Sequence, residues 1–206
     1  MTKYDFSASN LISIFIGFML FVLILDAITF EERTKIQQNL AYKTKLTSVA
    51  TELNVPVQAL QEVMYFESGN DHYAENIKSG AVGSIQFLPK TLKQLGTSRD
   101  TLCEMLPIEQ LDYVLKYYQQ FSRTEYPINT AGDLYLLTLY PAMVRDPTRT
   151  IFATQKQRRY QQNKIFDINR NGIITRQEIV RCFSEKVKEM PNSNFKKCKH
   201  KKIANL

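Results

Sequence analysis

The hydrophobic pattern divides the chain before any motif is considered. Positions 6–25 carry no charged residue, and positions 11–25 are apolar except for Ser13 and Gly17. A helix in water keeps one apolar stripe, whereas this stretch is apolar on every face. About 20 such residues in a helix span about 30 Å, the thickness of a bilayer's hydrocarbon core. The pattern predicts a single transmembrane anchor within residues 1–30. Residues 31–50, opening Glu31-Glu32-Arg33-Thr34-Lys35, are polar and helix-compatible and suit a stalk. From Thr51 the period changes. Val57, Leu60, Val63 and Met64 recur at helical spacing behind Pro56, which predicts a helix ending near Glu67, where Ser68-Gly69-Asn70-Asp71 stops it. Further helices are predicted over 89–95, 108–121, 131–139, 155–165 and 176–189. Leu111, Val114, Leu115 and Tyr118 form the buried stripe of the second of these. Strong strand alternation is absent, and Ser79-Gly80-Ala81-Val82-Gly83 is a turn-rich stretch. The soluble part is expected to be mainly α.

A cleaved signal peptide, cut after Ala27, competes with the anchor. Signal-peptide apolar regions run to about 7–15 residues, and Leu25 is bulky where a small residue is usual, so a retained anchor is favoured. Orientation is in conflict. Lys3 precedes the span while Arg33, Lys35, Lys43 and Lys45 follow it, which by the positive-inside rule holds the rest of the chain in the cytoplasm.

Charge changes the picture at the other end. The net charge is +7, and Lys196, Lys197, Lys199, Lys201 and Lys202 crowd around Cys198 and His200. A solvated basic tail over 190–206 is expected, with contact to an anionic polymer or lipid as the sharper alternative. No base-stacking pattern accompanies the lysines, so specific nucleic-acid binding is not expected. Cys103, Cys182 and Cys198 fit no zinc spacing. An odd count leaves at least one free thiol in a monomer, and a Cys182–Cys198 bridge is conceivable in an oxidising compartment.

The candidate chemistry begins at Met64-Tyr65-Phe66-Glu67-Ser68-Gly69, a carboxylate at a helix end beside aromatics and a hydroxyl. Further on comes Gly83-Ser84-Ile85-Gln86-Phe87-Leu88-Pro89, then Gln110-Leu111-Asp112-Tyr113-Val114, then Leu139-Tyr140-Pro141-Ala142. Taken in order over residues 51–145, these resemble the lytic transglycosylases of the lysozyme-like (SLT-type) superfamily, most closely their phage-type branch. That family carries Glu-Ser, then a Gly-x-Met-Gln segment, then Ala-Tyr-Asn-Ala-Gly. Here Ile85 stands for Met, Pro141 for Asn and Met143 for Gly, which weakens the third motif and leaves Tyr140 matched. The resemblance implies a lysozyme-like fold and cleavage of the MurNAc–GlcNAc bond of peptidoglycan strands, with a 1,6-anhydro-muramic product. It implies Glu67 as the one catalytic acid and base. Ser68 would orient substrate, Gly83 would admit the glycan closely, Gln86 would bind an N-acetyl group, and Tyr140 would hold Glu67. Asp71 and Glu75, the other nearby carboxylates, are expected to cap or solvate loops. A wall-binding protein without activity and a hydrolysing muramidase are the alternatives. Such an enzyme would be anchored with its domain facing the wall, in a bacterial inner membrane or a phage virion membrane. The latter need not follow ordinary insertion.

One motif stands apart. Asp167-Ile168-Asn169-Arg170-Asn171-Gly172-Ile173-Ile174-Thr175-Arg176-Gln177-Glu178 matches the EF-hand loop. Oxygen ligands for Ca2+ would come from Asp167, Asn169, Asn171, the Ile173 carbonyl, Thr175 and bidentate Glu178, with Gly172 at the sharp turn. Two carboxylates and no second hand predict a weak structural site. An Asn/Gly helix-turn-helix without metal is the alternative. The expected organisation is an anchor over 1–30, a stalk over 31–50, a transglycosylase domain over 51–160, a calcium-binding segment over 161–189 and a basic tail over 190–206.

Overall fold

The computed structural model describes residues 8–121, 128, 130–146, 149–189 and 196–197, with the side chains of those from Phe15 to Lys188. The chain forms two compact units, Met1–Thr44 and Lys45–Leu206.

The first unit is the leading part of α1 (Ala8–Glu52), one unbroken helix where an anchor and a polar stalk were expected. Phe15, Ile16, Phe18, Leu20, Phe21, Leu23 and Ile24 are all more than half exposed on it. Among the described residues, no helix is long and apolar enough to cross a membrane. The uncharged run starts at Phe6, before the first described side chain, and Asp26, Glu31 and Glu32 follow it. Past the apolar run, Lys35 reaches Glu31 at 2.9 Å one turn away, an exposed pair that helps the polar stretch stay helical.

The second unit begins inside the same helix. Leu46, Val49 and Ala50 are buried, so the expected stalk ends before residue 50 and its last turn belongs to the core. The rest of that core comes from α2 (Val57–Ser68), α5 (Pro107–Gln119) and α6 (Ala131–Leu139), with α2 packed on α6. Their apolar stripes supply Leu60, Val63, Met64, Leu111, Val114, Leu134, Leu136 and Leu137, all essentially inaccessible. Pro107 opens α5 without losing a needed amide, and Thr130 with Asp133 forms a capping box on α6. The short α3 (Pro89–Gln94), α4 (Arg99–Glu104) and α7 (Pro141–Arg145) link these elements. The sequence pattern gave no sign of α4 and α7, which are too short to show a period.

Two small sheets were also not foreseen. β1 (Ala74–Asn76) runs antiparallel to β2 (Ala81–Val82), with Glu75 opposite Val82 and Asn76 opposite Ala81. The Asn76 carboxamide oxygen accepts from the amides of Lys78 and Ser79 and closes the turn between them. β3 (Ile151–Thr154) pairs with β4 (Ile173–Thr175). Strands this short carry almost no alternation. The basic tail is not wholly an appendage. β5 (Lys196–Lys197) pairs with the free edge of β1, Lys197 opposite Ala74. The other residues of the expected tail lie outside the described ones.

Between β3 and β4 the expected helix over 155–165 is shorter, α8 (Arg158–Gln162) followed by a 3-10 turn at Lys164–Phe166. After β4, α9 (Arg176–Glu189) matches its expected span. Its Ile179, Cys182 and Phe183 are buried, and it packs on α2 and α6 within the one unit. Cys182 is a free, buried thiol, which corrects the Cys182–Cys198 pairing from its near end. Cys103, on α4, is disulfide-bonded.

Candidate active site and calcium loop

Glu67 sits in the last turn of α2, which Gly69 ends in the left-handed region at φ 65°, its amide turned back to the carbonyls of Met64 and Tyr65. The preceding residue, Phe66, places its ring 4.6 Å from Tyr135 of α6 and 5.1 Å from Phe183 of α9, and those two stack at 4.8 Å. α2 is thereby locked beside the carboxylate by an aromatic trio from three helices. Burial pushes the Glu67 carboxyl up to about 8. Its charge bears on the phenols of Tyr117, Tyr118 and Tyr135, which burial already holds above the ordinary tyrosine range. The Glu67 carboxyl has no hydrogen-bond or ion-pair partner among the described residues. An apolar, phenol-lined setting with no cation to offset desolvation keeps a carboxylic acid protonated at neutral pH.

The second motif is a tight loop closed by Val82 and Phe87, each amide donating to the other's carbonyl at 3.1 and 2.8 Å. Gly83 and Gln86 both lie at positive φ, 82° and 53°. A Cβ at Gly83 would stand 2.9 Å from Leu102 Cδ2 and 3.1 Å from Gln110 Oε1. The α4 and α5 side chains and the positive φ are by themselves enough to require glycine here. Gln110, missed as a site residue, is fully buried, and its amide nitrogen donates to the carbonyls of His72 and Leu102.

Ser68 also has a different task from the expected one. It is 1% exposed, and its hydroxyl lies 2.8 Å from the Met64 carbonyl and 3.0 Å from that of Ser84. It clips the end of α2 to the second motif and is sealed from any substrate. Gln86 is half-buried, and its Nε2 donates to the carbonyls of Ala74 and Gly83, both at 3.2 Å, while its Oε1 is buried without a partner. The amide hydrogens that would grip an N-acetyl carbonyl are thus committed to backbone carbonyls of β1 and of the loop itself.

Tyr140 follows α6 and accepts a hydrogen bond from Arg149 Nη1 at 3.2 Å. Its phenol does not hold Glu67. The phenols within electrostatic reach of Glu67 come from α5 and α6, and Tyr118 is itself fixed by Thr138 at 2.6 Å. A sequence signal for them existed in the adjacent Tyr117-Tyr118 pair, of which only Tyr118 belongs to the predicted stripe. Of the other two carboxylates, Asp71 serves its loop as expected, whereas Glu75 lies on β1 in an ion pair that was not expected. Glu75 pairs with Arg99, and Asp71 Oδ1 accepts from the Tyr73 amide at 2.9 Å.

The EF-hand-like loop has the backbone that its motif requires. Gly172 takes φ 82° at the turn, and the Asp167 carboxylate accepts from the amides of Asn171 (3.1 Å) and Gly172 (3.0 Å). Asn169 and Asn171 each accept from the backbone two residues on. Tyr160, which the sequence did not single out, donates to Asp167 Oδ2 at 2.6 Å and is the main cause holding that carboxyl below its ordinary value. Thr175 and Glu178 form a capping box on α9: Glu178 Oε2 accepts from the Thr175 amide, and the Glu178 amide donates to Thr175 Oγ1. Capping alone would satisfy one carboxylate oxygen. Glu178 Oε1 remains buried with no partner, and Asn169, Thr175 and Glu178 border the same concavity. An orphaned carboxylate oxygen facing an all-oxygen donor set fits a hard cation such as Ca2+. Among the described residues there is no group of three or more His, Cys, Asp or Glu, so the donors would be largely neutral.

The loop also braces the third motif. The guanidinium of Arg176 donates to the carbonyls of Met143 and Asp146, and its amide to that of Thr150. β4 pairs with β3 where a usual EF-hand would pair with its partner hand. No protein-family model matches this sequence, and no curated protein matches it either.

Proposed function

We propose that the chain is a peptidoglycan lytic transglycosylase whose single acid and base is Glu67. The observation that carries this is the Glu67 carboxyl: it lies in the last turn of α2, is pushed up to about 8 by desolvation, and has no cation paired with it among the described residues. A neutral acid at that position can give its proton to the glycosidic oxygen as the bond to the anomeric carbon breaks. The resulting carboxylate then takes the proton of the same sugar's 6-hydroxyl. That oxygen bonds to the anomeric carbon and closes the anhydro ring. Water is not consumed, so the reaction needs no second carboxylate of the kind hydrolases place opposite the acid. The engagement of Asp71 and Glu75 elsewhere is consistent with this. Ser68, Gly83 and Gln86 act as a frame that fixes α2 against the second motif, and phenols take the place proposed for Tyr140.

We propose further that Asp167, Asn169, Asn171, the Ile173 carbonyl, Thr175 and Glu178 hold one structural Ca2+. The ion would lock the loop from which Arg176 supports the segment after Tyr140. The exposed apolar surface of α1 supports a single-pass anchor, and a disulfide at Cys103 supports a domain on the oxidising, wall-facing side of a bacterial inner or virion membrane. The basic tail supports contact with anionic wall polymer or lipid.

The test is digestion of purified peptidoglycan by the wild type and by Glu67→Gln, read by mass spectrometry. Anhydro-muropeptides from the wild type alone are expected. Reducing-end products without the anhydro ring would make the enzyme a hydrolysing muramidase. No product from either chain would leave a wall-binding protein.

A further inference from the structure

Two arginines meet on one half-buried phenol in the third motif, and the mechanism uses neither. Arg149 Nη1 donates to the Tyr140 hydroxyl at 3.2 Å. Arg159 lies flat over the same ring, its guanidinium carbon 4.0 Å from the centroid and 5.4 Å from that of Phe152. Its Nη1 is tied to the Phe152 carbonyl at 3.2 Å, and Phe152 meets Tyr140 edge-on at 5.5 Å. Both guanidinium groups are thus held by named contacts, yet each keeps most of its N–H donors unspent. The pair is poorly neutralised. Arg149 has Asp146 at 3.7 Å, and no carboxylate pairs with Arg159 among the described residues. Two cations fixed at one ring repel each other unless something anionic is meant to sit between them.

We propose that Arg149 and Arg159, with Tyr140 between them, form a carboxylate subsite that recognises the peptide stems of the wall. The proposal rests on the glycan substrate proposed above. The sugars of such a strand are uncharged, so its anions are the carboxylates of the stems. Guanidinium forks match planar carboxylates in two parallel hydrogen bonds, which a lysine cannot do. Position supports it as well. Tyr140 is the matched residue of the third motif, where Pro141 and Met143 replace the Asn and Gly of the resembled pattern. Arg149 follows the altered motif closely along the chain, and Arg159 reaches the same ring from α8. The chain would then prefer peptide-bearing strands to bare ones.

The measurement is co-sedimentation of the full chain in detergent with wall material, on a Glu67→Gln background so that binding is read without turnover. Two materials are compared: intact peptide-bearing peptidoglycan, and the same material stripped by an amidase, which leaves only the lactyl carboxylate on each muramic ring. Arg149→Gln is expected to weaken binding to the intact wall about tenfold and to leave the stripped wall within about twofold. Arg149→Lys is expected to recover little of the loss. Arg149 is exposed, and its variants should melt within a degree or two of the parent; Arg159→Gln, which unpacks two rings, is the second variant. Equal losses on both materials would assign the subsite to the lactyl group and overturn the stem assignment. Unchanged binding by both variants would overturn the subsite altogether. Arg149-dependent binding without any anhydro product from the wild type would sink the enzyme and leave this inference standing.

Discussion

Glu67 makes a prediction about stability that does not depend on finding the substrate. Its carboxyl titrates near 4.5 in an unfolded chain and at about 8 in the folded one, because folding removes water from it. Below pH 4.5 both states hold the proton and the site contributes no pH dependence. Between 4.5 and 8 the unfolded chain has released its proton while the folded chain retains it. The unfolded state then binds fewer protons, so stability falls as pH rises through this window. Each pH unit costs about 1.4 kcal/mol at full difference, so the interval from pH 5 to pH 8 amounts to about 3 kcal/mol. Water reaching the half-buried side chain reduces this, and about 2–3 kcal/mol is the expectation. Glutamine has the same shape and no proton to lose. Glu67→Gln should therefore gain on the wild type as pH rises, by roughly 4–10 °C in melting temperature between pH 5 and pH 8 for a unit of this size. The assay is paired thermal melts across that range. Every other titrating group is common to the two chains, so the difference between them isolates Glu67. Wild-type turnover should fall above about pH 8, where the acid is lost. If the two melting curves shift in parallel from pH 5 to pH 8, the carboxyl is not desolvated and the argument for a protonated acid fails.

Three further outcomes follow from the frame around it. Ser68→Ala breaks a buried clip between α2 and the second motif and should cost about 1–2 kcal/mol in urea unfolding, with KM nearly unchanged; a large rise in KM at wild-type stability would restore Ser68 to the substrate. Gly83→Ala puts a methyl 2.9 Å from Leu102 at positive φ and should lower stability by about 2 kcal/mol or more; a neutral result would free Gly83 for the role of glycan contact. Calcium at a hundredfold its dissociation constant should stabilise the chain by about 2.7 kcal/mol, and Asp167→Ala or a chelator should abolish the gain. Identical melts with and without calcium would leave the loop a capped helix-turn-helix.

What the sequence made legible and what it hid follow one rule. Helices with a full apolar stripe were visible: α6 and α9 were placed at their ends, and α2 within a residue. The short strands and α4 were not, because two to six residues cannot establish a period. Glu67 was legible through its neighbours in the motif. The tasks of the other motif residues were not, since those depend on what lies across the fold. Ser68 meets the Ser84 carbonyl sixteen residues away, and Gly83 meets side chains of α4 and α5. A motif gives residue types in order, and the same types serve a frame as well as they serve a ligand.

The same logic joins the two motifs that looked unrelated along the chain. α9 opens on Thr175 and Glu178 of the EF-hand-like loop and carries Phe183 to the ring of Phe66, the residue beside Glu67. Arg176, from within the loop, holds the carbonyls of Met143 and Asp146 on the segment after Tyr140. A lone EF-hand-like loop lacks the partner that normally steadies it, and here β3 and α8 supply that support from the body of the domain. A cation ordering this loop would therefore stiffen the rear wall of the α2 terminus and the floor beneath Tyr140 together. Losing α9's aromatic contact should loosen both. Truncating Phe183 to alanine removes one ring from the trio behind Glu67, a change of the size that costs about 3–5 kcal/mol in a packed core. It should also lower the pH at which Glu67 releases its proton, because water would enter where the ring stood. The alkaline limb of turnover reports that shift. A Phe183→Ala chain that is destabilised while its alkaline limb stays at the wild-type pH would show that α9 supports the fold without setting the environment of the acid.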